Sequence, residues 1–237
     1  MPYSQPAKSV TNLLAATLLI TLASTSTAAD VSLSLLYGDN YAVEPEQQAT
    51  GTMEVVARGD WGDLFGFIDY KTFPDSAADN SWYGEIAPRF KLMDGAMPLY
   101  AAFTWERGKG DTEAYLGGVG TDFKLPGFIF AKANVYYRDS PNHSGNGWQT
   151  TLSWAYPFAD GQWVIDGYID WVFSTEETEP HLHFNPQIKW DMQRSLNTSL
   201  RWYLGLEYDY WYNKYGIDSA FLDSQQNTAS LLIKVHF

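Results

Sequence analysis

Cysteine is absent from the 237-residue chain, which excludes disulfides, thiolate metal sites and thiol nucleophiles. Positive charge is scarce: 15 Lys and Arg stand against 28 Asp and Glu, a net charge of −13. That balance argues against a nucleic-acid partner. Beyond Ala29 no run supplies the ~18 uncharged apolar residues that a spanning helix needs. There is also no G-x-S-x-G element and no phosphate-cradling glycine loop. Aromatic residues, by contrast, are abundant at 16%, with 10 Trp and 16 Tyr. These absences and this excess leave a soluble all-β protein or a membrane β-barrel.

The N-terminus points to export. Lys8 precedes an apolar stretch over 13–22, and small residues follow to Thr27-Ala28-Ala29. This pattern predicts a secretory signal peptide cleaved after Ala29; the apolar stretch is short for an anchoring helix. The expected organisation is therefore a leader over 1–29 and one barrel over 30–237.

At the other end, Phe237, Val235, Ile233, Leu231 and Ala229 alternate with His236, Lys234, Leu232, Ser230 and Thr228. A period of two is a strand, and a terminal aromatic on such a strand is how many outer-membrane barrels end. Twelve strands are expected, at 31–38, 49–58, 63–72, 81–92, 98–107, 113–123, 128–138, 147–156, 162–173, 181–191, 198–212 and 226–237. A ten-stranded barrel is the alternative count. Short connections around 59–62, 94–97, 124–127, 158–161 and 195–197 alternate with longer polar ones, and only 108–112 blurs the rule. Tight turns on one side and longer loops on the other suit an up-and-down antiparallel barrel spanning the outer membrane. A soluble sandwich has no reason to sort its loops that way; a lipocalin-like soluble barrel, which shares the alternation of faces, is the remaining soluble alternative.

The strand faces agree. In 181–191, His181, His183, Asn185, Gln187, Lys189 and Asp191 oppose Leu182, Phe184, Pro186, Ile188 and Trp190. With polar faces inward, candidate lumen residues for a solute path are Glu54, Phe67, Asp69, Glu85, Arg89, Lys132, Arg138, Asp166, Tyr168, Asp170, His183, Arg201, Glu207 and Lys234. Acids and bases nearly balance in this reading, which suits a neutral, flat, hydrogen-bonding solute better than an anion. Charges that merely pair with one another to fill a narrow barrel are the competing explanation. Pro88 and Pro186 fall inside strands, where bulges or local breaks are expected.

Other signals are sparse. His181-x-His183 places two imidazoles on one strand face, but no third ligand is identifiable, so no metal or other cofactor is expected. His143 and His236 near Ser144 and Ser230 are the only raw material for a barrel-embedded lipid enzyme. No catalytic residue is expected.

Several segments carry a family resemblance. Asp60-Trp61-Gly62-Asp63-Leu64-Phe65-Gly66-Phe67-Ile68-Asp69, Glu85-Ile86-Ala87-Pro88-Arg89-Phe90 and Gly118-Val119-Gly120-Thr121-Asp122 are three of them. The others are Leu125-Pro126, Asn134-Val135-Tyr136, the run 207–217 and the ending Lys234-Val235-His236-Phe237. Together they resemble the Tsx-type nucleoside-specific channel-forming proteins and their OmpK-like branch. The likeness is firm from Gly51 to Arg138 and from Leu204 onward, loose between Pro141 and Asn197, and poor in the first loop, 43–48. It implies a monomeric twelve-stranded channel in the bacterial outer-membrane bilayer, passing nucleosides by diffusion. It also implies surface loops that serve as bacteriophage or colicin receptors, and Glu54, Phe67, Asp69, Glu85 and Arg89 at lumen-side motif positions. An occluded barrel acting as surface receptor or structural protein is the alternative.

Overall fold

The computed structural model describes residues 28–143 and 145–237. The expected leader lies outside them except for its last two residues, which open the first strand. The strands are β1 (Ala28–Gly38), β2 (Gln48–Gly59), β3 (Gly62–Thr72), β4 (Ser81–Met93), β5 (Leu99–Gly108) and β6 (Glu113–Asp122). They continue as β7 (Phe130–Ser140), β8 (Gly145–Phe158), β9 (Trp163–Phe173), β10 (His181–Asp191), β11 (Arg201–Tyr212) and β12 (Gln226–His236). Each pairs antiparallel with its neighbour in sequence, and β1 pairs with β12, so the sheet is a closed barrel. Closure leaves no unpaired edge. The seam runs from Ser32↔His236 to Gly38↔Ser230, and the Phe237 N–H donates to the Val31 carbonyl at 2.9 Å.

Alternation along the strands sets the two faces. On β12, Ser230, Leu232 and Lys234 are buried while Leu231, Ile233 and Phe237 are exposed. On β1, Ser32 and Ser34 are buried while Leu33, Leu35 and Tyr37 are exposed. The exposed apolar set is what a lipid-facing wall requires, and the polar set points into the barrel. Aromatic pairs gather at the strand ends. Tyr137–Trp148 (5.7 Å between centroids) and Trp171–Phe173 (4.8 Å) lie towards one rim. The stack Phe158–Trp163–Trp190 (6.2 and 5.9 Å) and Trp61–Phe90 (5.9 Å) lie towards the other. Two such belts mark the two membrane–water interfaces.

The connections depart from the expected alternation in places. The β10–β11 link is not a tight turn at 195–197 but a nine-residue crossing that holds a one-turn helix, α1 (Met192–Leu196). Asp191 caps α1 by accepting from the Arg194 N–H at 2.8 Å, and Asn197 ends it in the left-handed region. Conversely, β7 and β8 extend towards each other, to Ser140 and Gly145, leaving four residues where a longer loop around 139–146 was expected. The sides of the barrel are therefore fixed by strand pairing more than by loop length.

The prolines interrupt the ladder without shifting it. Pairing of β4 with β5 skips the residues at Pro88, between Ile86↔Trp105 and Arg89↔Ala102, in unchanged register. Pairing of β10 with β11 skips Asn185 and Pro186 in the same manner. The missing proline N–H removes a bond but no extra residue is inserted. The bulge in β4 lies instead between Lys91 and Met93.

Following paired residues once around the barrel returns to β1 displaced by about 16 residues, the stagger that goes with tilted strands. This tilt decides which inward side chains share a level.

Candidate functional site

The inward faces build a lumen in two tiers. Nearer the end that carries the turns Asp60–Trp61 and 94–98, four bases on separate strands share one level: Arg89, Lys132, Lys189 and Lys234. Each is neutralised. Arg89 donates to Asp63 at 3.0 and 2.5 Å and approaches Asp122 at 2.8 Å, with its guanidinium 4.3 Å over the Tyr100 ring. Lys132 donates to Asp63 at 3.2 Å, and Lys189 to Asp166 at 2.6 Å. Lys234 pairs with Glu54, which also accepts from Ser32 at 2.9 Å. At the rim below, Arg201 pairs with Asp30, which also meets His236 Nδ1 at 2.8 Å.

The second tier is acidic. Corrected for stagger, Asp69 on β3, Glu85 on β4, Asp170 on β9 and Glu207 on β11 fall at one level. None of the four has a Lys or Arg nitrogen within 4 Å among the described residues. Their partners are hydroxyls and amides instead. Thr52 donates to Asp69 at 2.6 Å and Tyr83 to Glu85 at 2.7 Å. Thr151 and Gln149 donate to Asp170 at 2.5 and 3.2 Å, and Gln187 to Glu207 at 2.8 Å. Glu85 on β4 stands on the wall opposite Asp170 and Tyr168 on β9, with Glu207 and Asp209 two strands further along on β11.

Aromatic faces interleave with these acids. The Phe67 ring lies 5.8 Å from Phe65 and 5.9 Å from Tyr83. Across the lumen His183 stacks on Trp211 at 3.9 Å and 15°. Its Nε2 meets Asp209 at 2.9 Å and its Nδ1 meets the Tyr168 hydroxyl at 3.2 Å. Arg138, at the same level, is engaged bidentately by Glu106 at 2.5 and 2.7 Å and donates to Gln149 at 2.9 Å. Carboxylates and ring faces together can hold the hydroxyls, amines and planar faces of a small uncharged solute.

All fourteen expected lumen residues face inward, but they divide. Arg89, Lys132, Arg138, Asp166, Arg201, Lys234 and Glu54 are held in ion pairs, whereas Asp69, Glu85, Asp170 and Glu207 are free of them. Phe67, Tyr168 and His183 supply ring faces at or beside the acidic tier. The expectation of balanced charge is thus corrected: the bases are consumed locally and a carboxylate tier is left over. Asp63 and Asp30 were missed as lumen acids, though alternation in Asp63-Leu64-Phe65-Gly66-Phe67-Ile68-Asp69 puts Asp63 and Phe65 on the face of Asp69. The loop residues Glu44 and Lys214 carried no periodic signal at all.

The proposed enzymatic raw material is not brought together. Ser230 Oγ meets the Tyr41 hydroxyl at 2.7 Å, His236 is engaged by Asp30, and Ser144 lies outside the described residues. His181 and His183 both lie beside Trp211, and no group of three or more metal-ligating side chains is found among the described residues.

The family model described as nucleoside-specific channel-forming protein, Tsx, matches residues 44–237. The chain belongs to this family. As a Tsx-family barrel it is an outer-membrane channel for small solutes, located in the bacterial outer membrane. No curated protein matches it in sequence. Solved structures share the fold at low identity. The KdgM porin is 10% identical with a TM-score of 0.55, covering 88% of this chain and 99% of its own. The KdgM porin in complex with disordered oligogalacturonate is 11% identical at 0.54, covering 87% and 99%. The NanC porin is 13% identical at 0.55, covering 89% and 99%.

Proposed function

We propose that this channel passes nucleosides by diffusion and discriminates against their phosphorylated forms. The observation that carries the reading is the acidic tier: Asp69, Glu85, Asp170 and Glu207 face the path with no cation beside them. A phosphate entering at that level meets four carboxyl groups without a Lys or Arg partner of their own, while Arg138 is already engaged by Glu106. Like-charge repulsion is strongest inside the barrel, where the dielectric is low. A nucleoside offers ribose hydroxyls and base N–H groups that carboxylates accept, and a flat base for Phe67, Tyr83, Tyr168 or the His183–Trp211 stack. Weak contacts at several points give selectivity without trapping. The family description supports the same solute.

The fourteen lumen residues are proposed as the solute path, the four unpaired acids and Phe67, Tyr168 and His183 making its contacts. The ion-paired residues hold the wall. Oligogalacturonate, the ligand in the KdgM complex, is a polyanion and fits this tier poorly. A leader cleaved after Ala29, a monomeric state and use of the external loops by bacteriophage or colicin belong to the same proposal. Entry of nucleosides and nucleotides into proteoliposomes tests it: comparable rates for both would remove the acidic tier as a filter.

A further inference from the structure

The connection between β1 and β2, residues 39–47, does not stand clear of the barrel. The Tyr41 hydroxyl reaches Ser230 Oγ on the inner face of β12 at 2.7 Å, and Tyr41 is buried. The Ala42 N–H donates to Gln226 Oε1 at 3.0 Å, also on the inner face of β12. Glu44 accepts from Lys71, on the inner face of β3, at 3.0 Å. It also accepts from Lys214 at 3.2 Å and from the Tyr215 hydroxyl at 3.2 Å, both of the β11–β12 connection. Lys214 is among the most buried side chains of the protein, and donates as well to the Ala42 carbonyl at 3.1 Å and Gln226 at 2.6 Å. The segment thus bridges the inner wall from β12 to β3. Ser230 shares the level of Glu207, its register partner on β11, so the loop descends to the acidic tier.

We propose that this segment is the constriction of the pore, pinned inward by Glu44, and that Tyr41 and Glu44 set the size limit for passing solutes. The loop bridges the β12–β1–β2–β3 third of the barrel and crowds the path towards the wall that carries Tyr83, Tyr168 and Asp170. Burial opposes the charge on Glu44, but Lys71 and Lys214 outweigh it and bring the carboxyl down to about 2, so the pin is ionised at any physiological pH. An isosteric amide keeps the shape and removes the charge that two lysines require. The inference concerns bore size, so loss of nucleoside preference leaves it untouched.

Single-channel conductance of the full chain in planar bilayers tests it, with swelling rates for a disaccharide and a trisaccharide. Glu44→Gln and a variant lacking residues 42–46 are compared with the parent, and barrel integrity is read by heat-modifiable gel mobility. The expected result in folded barrels is a rise in conductance on the order of two-fold and admission of the larger sugar. Unchanged conductance and an unchanged sugar cut-off in either folded variant overturn the proposal. Should Glu44→Gln fail to fold, Tyr41→Ala, which retains the pin, is read in the same assay, where it widens the bore if Tyr41 fills the lumen and leaves it unaltered if Tyr41 does not.

Discussion

Arg89 and Asp63 face each other across the β3–β4 ladder as register partners and are joined by two hydrogen bonds, of 3.0 and 2.5 Å. Asp122 and Lys132 complete the cluster around them. This is a buried, bidentate pair inside a membrane barrel, where an orphaned charge has little water to fall back on. Arg89→Ala leaves two acids facing Lys132 alone and should cost about 3–5 kcal/mol of barrel stability. Urea unfolding of the refolded protein in detergent measures it. Arg89→Lys, which keeps the charge but loses the fork, should lie between that variant and the parent.

The acidic tier predicts charge selectivity. In a salt gradient the zero-current potential of the parent channel should show potassium preferred over chloride. Converting Glu85 and Asp170 together to Gln and Asn should reduce that preference by about two-fold or more. Converting Asp166, which is already spent on Lys189, should not reproduce that effect by removing a free charge.

Glu44 predicts how the loop responds to acid. Its folded value of about 2 lies below the ordinary 4.5, so its stabilising contribution is complete above 4.5 and disappears as pH falls from there through about 2. Conductance attributable to the loop should stay constant from pH 8 to 5 and rise only below that window. A rise centred near pH 6 would assign the change to another group.

Gly167 stands opposite Pro186, and a Cβ there would lie 2.7 Å from the Pro186 Cα. Neither backbone can yield inside a closed sheet, so Gly167→Ala should abolish or greatly slow assembly, measured as loss of the heat-modifiable band. Gly51→Ala, with its nearest neighbour the Leu35 side chain at 3.9 Å, should assemble normally.

Much of this was readable before the fold was known, and the reason is periodicity. In β10 and β12 every residue is assigned to lipid or lumen by alternation alone, because a one-residue slip would expose the whole polar face to lipid. The strand count and the closing pair followed from the same signal. What alternation cannot carry is partnership. Whether Lys189 meets Asp166 or Glu54 meets Lys234 depends on register between strands, and the leftover acids emerge only once those pairs are made. Loops have no period, so the inward descent of Tyr41 and Glu44 and the small helix after Asp191 were not legible. Pro88 and Pro186 signalled a broken ladder correctly, but the sequence could not say that the register would hold and the bulge fall at Lys91.

The central claim is that the lumen admits uncharged nucleosides and turns back phosphate. Proteoliposomes containing the purified barrel, given adenosine or adenosine monophosphate at equal concentration, measure this directly. Faster entry of adenosine, with the gap narrowed when Asp69, Glu85, Asp170 and Glu207 are made amides, is the predicted result. Equal entry of the two solutes through the parent channel would contradict it.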